Sequence, residues 1–452
     1  MVNNDNISLK FPAGFLWGVG SAAYQFEGDS VNTQWYEFEK RGGIKTGDSS
    51  GKACDWWNNA EKDFDIAKGM GLNSLRISVS WARIEPEEGI FNPEAIERYR
   101  QILSSLIERN ISPIICLHHF AHPAWFEKKG AFLSADCIDD YTRFVKFVVS
   151  ELHDLCDTWL TFNEPNVYAT EGYLDGNHPP AIQGNLPWYF RVLGNMVRCH
   201  AAAYHIIHAI RGEALVSFAN HFIIFTHAKD QPFDRLAARI ASDTFNNVFF
   251  NMLEGKKLPP FCGLKECTEP LKGTFDFIGV NIYGGADVAF DLFKPHMGFI
   301  RRIKPTGGRT GDLDPDGAAM FGEIYPQGIK TVVEKLAHYN KPFFILENGV
   351  PDRDDKLRPW VIATAVKTIH DLIEQRYKIM GYHHWSLVDN FEWALGYSMK
   401  FGLVEMDPAT QERKLRQSAS FYSEIAKANA LTRDMIKRYV PEVMGDIFPG
   451  AD

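Results

Sequence analysis

The chain of 452 residues has no apolar run long enough to cross a bilayer as a helix. It has no surplus of basic charge either: 48 Lys and Arg stand against 57 Asp and Glu, a formal net charge of −9. That balance argues against nucleic acid or an anionic membrane as partner and suits a protein acting on a small neutral ligand. Cysteine is scarce. The seven are Cys54, Cys116, Cys137, Cys156, Cys199, Cys262 and Cys267, an odd and scattered set with no C-x-x-C pair. They argue against a disulfide framework and against a structural zinc site, and Cys116, inside an apolar run, reads as a buried thiol. No glycine-rich strand-to-helix fingerprint offers a dinucleotide a seat, and no cofactor is implied. No Ser-, Pro- or Gly-rich linker and no low-complexity tract divides the chain, so residues 1–452 are expected to form one domain. Residues 1–10 lack the basic stretch and apolar run of a secretory signal, which makes a cytoplasmic location the expectation. The sequence does not define an oligomeric state.

What is present is an ordinary globular balance, 45% hydrophobic and 23% charged, with aromatics at 13% including 11 Trp. Most of those rings belong in a core, but indole faces also suit the C–H faces of sugars. Apolar segments at 15–21, 74–80, 114–118, 158–162, 215–219, 277–281, 343–346 and 379–385 read as eight strands. Several are continuously apolar, as parallel strands covered on both faces require. Helical periodicity fills the gaps at 58–70, 93–109, 134–155, 186–211, 233–253, 326–338 and 357–377, with a last helix near 412–427. Asn92 and Pro93 form an N-cap followed by a first-turn proline. Strands alternating with helices predict an α/β fold, a single (β/α)8 TIM barrel with extended βα loops. The longest irregular stretch, 284–322, is expected to lie over the top of the barrel as a functional loop. The tail, 428–452, reads as a packing extension.

Two strings place a glutamate where an apolar strand gives way to a turn: Thr161-Phe162-Asn163-Glu164-Pro165 and Ile345-Leu346-Glu347-Asn348-Gly349. A carboxylate beside a buried apolar run is costly unless it is paired or used. One such glutamate is equally well a helix-start carboxylate or half of an ion pair. Two fit the carboxyl pair of a retaining glycosidase, which stands about 5 Å apart. Barrel enzymes of this kind draw their active-site side chains from the C-terminal ends of strands. Those ends offer Tyr24 and Gln25; Arg76 and Trp81; His118 and His119; Asn163 and Glu164; Asn281 and Tyr283; Glu347; and Trp385 with Glu392 and Trp393 beyond it. Carboxylates, amides, a guanidinium and indole faces together match a polyhydroxylated ring.

At these residues the sequence resembles glycoside hydrolase family 1, the β-glucosidase and β-galactosidase family. The resemblance runs from Phe11 to about Asp407. It is carried by Phe15-Leu16-Trp17-Gly18 with Ala23-Tyr24-Gln25-Phe26-Glu27-Gly28, by Leu75-Arg76-Ile77-Ser78-Val79-Ser80-Trp81, and by the Asn163-Glu164-Pro165 string. Further along it is carried by Gly279-Val280-Asn281-Ile282-Tyr283, Glu347-Asn348-Gly349 and the run from His384 to Trp393. It implies that Glu164 is the general acid/base and Glu347 the nucleophile. Asn163 would hold the sugar 2-hydroxyl. Gln25, His119, Glu392 and Trp393 would grip the other hydroxyls, with Trp385 beneath the ring. Arg76 and Tyr283 would flank Glu347, and Asn281 would support it. A nucleophile must be ionised, and Arg76 nearby is expected to lower the pKa of Glu347. An acid must start protonated, and Glu164 facing Glu347 is expected to hold its proton until the glycosyl-enzyme forms.

The chain departs from that pattern in places. His119-Phe120-Ala121-His122-Pro123 stands where the family commonly has His-Trp-Asp-Leu-Pro, so Phe120 lacks an indole N–H. Leu346 replaces the usual Thr, and Gly322 stands where a Trp often covers the leaving group. Relatives that act on 6-phosphosugars carry Ser, Lys and Tyr where this chain has Glu392, Met399 and Phe401, which argues against phosphorylated substrates. The resemblance implies a retaining exo-β-glycosidase acting on terminal β-glucosyl residues, with β-galactosyl and β-fucosyl activity beside it. The alternative is a catalytically inactive sugar-binding barrel, although such proteins lose one of the two glutamates. A metal-dependent hydrolase built on His118, His119 and His122 is a further reading. Against it, adjacent strand residues face opposite ways and no third ligand is suitably spaced, so no metal is implied.

Overall fold

The computed structural model describes residues 7–256, 270–294, 298–304 and 308–449. Its centre is a closed parallel barrel of eight strands: β1 Leu16–Gly20, β2 Ser74–Ser78, β3 Ser112–Cys116, β4 Thr158–Asn163, β5 Leu215–His227, β6 Ile278–Phe290, β7 Phe343–Asn348 and β8 Ile379–His384. Each strand pairs with the next in sequence, and β8 returns to β1. Helices occupy the crossovers. Pro93–Glu108 begins as its sequence dictates, with the Asn92 side chain accepting from the amides of Glu94 (3.0 Å) and Ala95 (3.4 Å). Its apolar stripe of Ile96, Tyr99, Leu103 and Leu106 is buried. No helix among the described residues is long and apolar enough to cross a membrane.

The core has two parts. A small cluster of Ile114, Cys116, Leu160, Ala219, Phe277, Phe344 and Leu346 draws on strands around the ring. A much larger cluster joins the strands to the helices outside. Runs such as Phe343–Leu346 serve both, which is why they are apolar at successive positions rather than alternating. Leu346, the residue beside the second glutamate, belongs to the small cluster and is fully buried. Cys54, Cys116, Cys137, Cys156 and Cys199 are buried free thiols, while Cys262 and Cys267 lie outside the described residues.

The strands at 215–219 and 277–281 continue well past their expected ends. Phe222 to His227 go on pairing with Ile282 to Val288, which carries a two-stranded ribbon above the barrel. Two parts of the expected loop at 284–322, residues 284–290 and 300–302, are therefore strand. β6 runs to Phe290 and pairs antiparallel with Ile300–Arg302 and, nearer its start, with Glu323–Ile324. Residues 295–297 and 305–307 of that stretch lie outside the described residues. The single helix expected at 233–253 is split into Pro232–Ala241 and Val248–Leu253 around a wide turn at Ser242–Asn246. The cause is Asn246, whose side chain accepts from the Ile223 amide (3.0 Å) and donates to the Ile223 carbonyl (2.8 Å), pulling the chain onto β5. The tail packs against the body of the fold: Ala430–Thr432 pairs antiparallel with Ser8–Lys10, and the helix Arg433–Tyr439 follows.

Candidate active site

The two glutamates sit where β4 and β7 lose regular register. Pairing is irregular between Leu160 and Asn163 on β4, and between Ile345 and Glu347 on β7. Such irregularities re-aim a side chain at the end of a strand. Glu164 takes a left-handed backbone (φ 47°, ψ 58°), its amide donates to the Ala219 carbonyl (2.7 Å), and Pro165 then opens the helix Pro165–Thr170. The proline disfavours a right-handed helical conformation before it, and the left-handed turn at Glu164 leaves that side chain lining the cavity.

A continuous hydrogen-bonded web joins the two carboxyl groups. Arg76 Nη2 donates to Glu347 Oε1 (2.5 Å) and its Nη1 donates to Asn163 Oδ1 (2.8 Å). Asn281 Nδ2 donates both to that Asn163 oxygen (3.1 Å) and to Glu164 Oε1 (2.8 Å). The Tyr283 hydroxyl donates to Glu347 Oε2 (2.6 Å). This corrects the expectation for Asn281. It pairs with Glu347 across the strands, but its amide reaches Glu164 rather than Glu347.

The groups expected to hold sugar surround this web. Gln25 Nε2 contacts Glu392 Oε2 (3.2 Å), Asn390 Oδ1 (2.9 Å) and the Phe391 carbonyl (2.9 Å). Asn163 Nδ2 meets His119 Nε2 at 3.0 Å. Because the Asn163 oxygen is taken by Arg76 and Asn281, its nitrogen is the donor and His119 Nε2 the acceptor. Burial, then Arg76 and His118, hold the His119 imidazole far below its ordinary pKa. Its one proton therefore sits on Nδ1, a buried atom with no partner among the described residues, as is Gln25 Oε1. Trp385 lies beside Arg76 (5.6 Å to the ring) and His119 (6.0 Å), and Trp393 stacks on Tyr24 (6.1 Å, 9°). A cavity of about 600 Å³ is lined by His119, Glu164, Tyr283, Glu347, Trp385, Glu392 and Trp393 together. Gln25, Arg76, Asn163 and Asn281 are buried behind these residues and bonded to them.

Burial governs the charges here. It raises the Glu347 carboxyl above its ordinary value; Arg76 is the strongest influence pulling it back, and Glu164 adds to the rise. The lowering expected from Arg76 alone is thus corrected, because desolvation outweighs the ion pair. Glu392 is pushed up to about 8 by burial, then by Glu347 and Glu164, with Gln25 opposing. Burial likewise raises the Tyr283 phenol, which stays a donor to Glu347.

Other strand-end residues do not reach the cavity. Trp81 stacks on Phe144 (4.8 Å, 17°) in the outer core, and the Tyr24 hydroxyl donates to Glu39 (2.5 Å). His118 Nε2 meets His122 Nδ1 (3.3 Å), and His122 Nε2 meets Glu127 (2.8 Å), so this cluster is a hydrogen-bonded chain under the site. Phe120 lines the cavity beside Trp393 (5.1 Å). Gly322 has φ +70°, and a Cβ there would lie 2.2 Å from the Gly285 carbonyl oxygen. It borders a second cavity of about 450 Å³ that shares Glu171, Asp175, Arg302 and Met320 with the first.

Sequence reasoning missed His221. Its Nδ1 lies 2.9 Å from Glu164 Oε1, and it lines the cavity from β5. The signal was the polar pair Asn220-His221 directly after the apolar run 215–219, the same pattern that marks Asn163-Glu164 on β4.

A closed (β/α)8 barrel that brings two bridged carboxyl groups to its strand ends has the arrangement an enzyme needs to cleave glycosidic bonds. Residues 7–431 match the profile described as glycosyl hydrolase family 1, and the chain belongs to that family. It is similar to beta-glucosidase A of Thermotoga maritima, 31% identical over 93% of this chain and 99% of that one. Among solved structures it resembles a beta-glycosidase from Pyrococcus horikoshii, with TM-score 0.88 and 34% identity, covering 97% of this chain and 100% of the other. It also resembles the Thermotoga maritima beta-glucosidase in complex with castanospermine, with TM-score 0.85 and 30% identity over 93% of this chain and 99% of that chain.

Proposed function

We propose that this enzyme removes terminal non-reducing β-D-glucosyl residues with retention of configuration, and accepts β-galactosyl and β-fucosyl groups beside them. The observation that carries the reading is the web from Glu347 through Arg76, Asn163 and Asn281 to Glu164, which presents both carboxyl groups to one cavity.

In the first step Glu347 attacks the anomeric carbon as the bond to the leaving oxygen breaks, and Glu164 gives that oxygen its proton. The product is a glycosyl ester on Glu347. Esterification removes the Glu347 charge, and Glu164, now a carboxylate, takes a proton from water as the water attacks the same carbon. Asn163 stands beside His119 to meet the 2-hydroxyl, and Gln25, His119, Glu392 and Trp393 take the remaining hydroxyls over the face of Trp385. The free Nδ1–H of His119 and the free oxygen of Gln25 supply a donor and an acceptor for such a ring. On the leaving-group side Phe321, Met320, Val167 and Leu174 give an apolar wall, which suits aryl or other bulky aglycones.

The chain acts as one domain, its two ends tied by the pairing of Ser8–Lys10 with Ala430–Thr432.

A panel of p-nitrophenyl β-glycosides, with the anomer of the first-formed sugar followed by NMR, tests the proposal. Hydrolysis of the β-glucoside with the β-anomer released first is expected. The α-anomer appearing first, or no hydrolysis of any β-glycoside, overturns it. Failure on aryl glucosides and cellobiose alike would refute the aglycone reading.

A further inference from the structure

We propose that His221 is a positioning residue for the general acid, fixing which oxygen of Glu164 carries the transferable proton. The proposal rests on the reading of Glu164 as acid/base. Two partners meet Glu164 Oε1: Asn281 Nδ2 at 2.8 Å, which can only donate, and His221 Nδ1 at 2.9 Å. Oε2 has no hydrogen-bond partner among the described residues, and Glu164 lines the cavity.

The imidazole leaves two choices. With its proton on Nδ1, His221 donates, Oε1 receives two donors, and the acidic proton must sit on Oε2. With Nδ1 bare, the 2.9 Å contact would require the proton on Oε1, directed into the imidazole instead of toward a leaving group. Only the first arrangement serves the reaction. It serves both steps: while Glu164 is an acid, Oε2 holds the proton, and once Glu164 is a carboxylate, the two donors on Oε1 stabilise it as Oε2 receives the proton of water.

The ring is held for this task. The His221 amide donates to Asn166 Oδ1 (3.3 Å), and its carbonyl accepts from Asn166 Nδ2 (2.9 Å) and Asn220 Nδ2 (2.9 Å). The ring lies nearly parallel to Tyr283 (5.7 Å, 19°), whose hydroxyl binds Glu347, so one stacked pair steadies both carboxyl groups. Asn166 follows Pro165, which ties β5 to the turn that aims Glu164.

The test compares kcat/KM for two β-glucosides. The 2,4-dinitrophenyl glucoside has a leaving group that departs without a proton; the phenyl glucoside needs one. His221→Phe keeps the stacked ring and loses the N–H, while His221→Asn loses the ring and keeps an N–H near the Nδ1 position. The phenylalanine variant is expected to lose on the order of tenfold on the phenyl glucoside, a part of the full general acid effect. On the dinitrophenyl glucoside its loss should stay below about twofold. His221→Asn should recover most of the phenyl glucoside rate. Equal losses on both substrates, no loss on either, or an asparagine variant as slow as the phenylalanine one would each overturn the proposal. If His221→Phe does not fold, His221→Leu removes the same N–H. Glu164→Ala separates the two readings. A selective loss there with an even loss in His221→Phe overturns the role of His221 alone. An even loss in Glu164→Ala overturns the acid assignment and this proposal with it.

Discussion

Arg76 Nη2 lies 2.5 Å from Glu347 Oε1, and neither side chain has appreciable contact with solvent. Burial has raised the carboxyl, and this guanidinium is the foremost group restraining the rise. Replacing Arg76 with Met removes the restraint. The carboxyl then moves further up, and less of it is ionised at any given pH. The acid limb of the kcat/KM profile should shift to higher pH, with activity at pH 7 falling by on the order of a hundredfold. A profile measured from pH 4 to 9 checks both; an acid limb that stays in place or moves down would show that Glu347 does not set it.

Glu347→Gly should abolish turnover, since no other carboxyl among the described residues meets both Arg76 and Tyr283. Azide or formate should restore part of it by occupying the space left by the side chain, and the azide product should be the α-glycosyl azide. Full activity without rescue agents would refute the nucleophile assignment.

Glu392, with its carboxyl pushed up to about 8, predicts a pH-dependent stability. A carboxyl raised on folding leaves the native state unpenalised below the ordinary glutamate range. The cost grows as pH rises through that range and levels off above the folded value. Glu392→Gln keeps an oxygen for Gln25 and removes the titration. The variant's stability should match the parent's near pH 4 and exceed it increasingly up to about pH 8, by on the order of a few kcal/mol at most, read as a rising Tm difference. Tm differences that do not vary between pH 5 and 9 would contradict this.

Gly322 combines φ +70° with a Cβ position 2.2 Å from the Gly285 carbonyl oxygen. Gly322→Ala should destabilise the fold by about 1–3 kcal/mol, read from denaturant midpoints at constant m. The same substitution at Gly317, also at positive φ (+75°) but with nothing within 4 Å of its Cβ, should cost less.

The barrel was legible because its strands are uniformly apolar and its helices keep their stripe. Phe343 to Leu346 and the Asn92-Pro93 start could be read without coordinates. The ribbon beyond residue 219 could not. The polar pair Asn220-His221 interrupts the apolar run before Phe222–Phe225, and the pairing of 222–227 with Ile282 to Val288 is a tertiary fact. The division of 233–253 has the same origin, since it depends on Asn246 finding Ile223. Within the site, motif residues disclosed who gathers but not who touches whom. Asn281 reaches Glu164 through a choice of rotamer, and His221 lies past an apolar run where no motif pointed. The balance of charges was hidden too. Whether burial or Arg76 governs Glu347 depends on how completely water is excluded, which no local string encodes.

The turn at Gly322 bears on how such an enzyme could change over generations. The opening beside Phe321 is shaped by main chain meeting main chain at Gly285 rather than by the size of a side chain. A lineage carrying this ribbon cannot regain a cover over the leaving group by altering one codon at that position. It would first have to rebuild the ribbon. Selection for narrower substrates is therefore expected to act on the wall formed by Met320 and Phe321 instead.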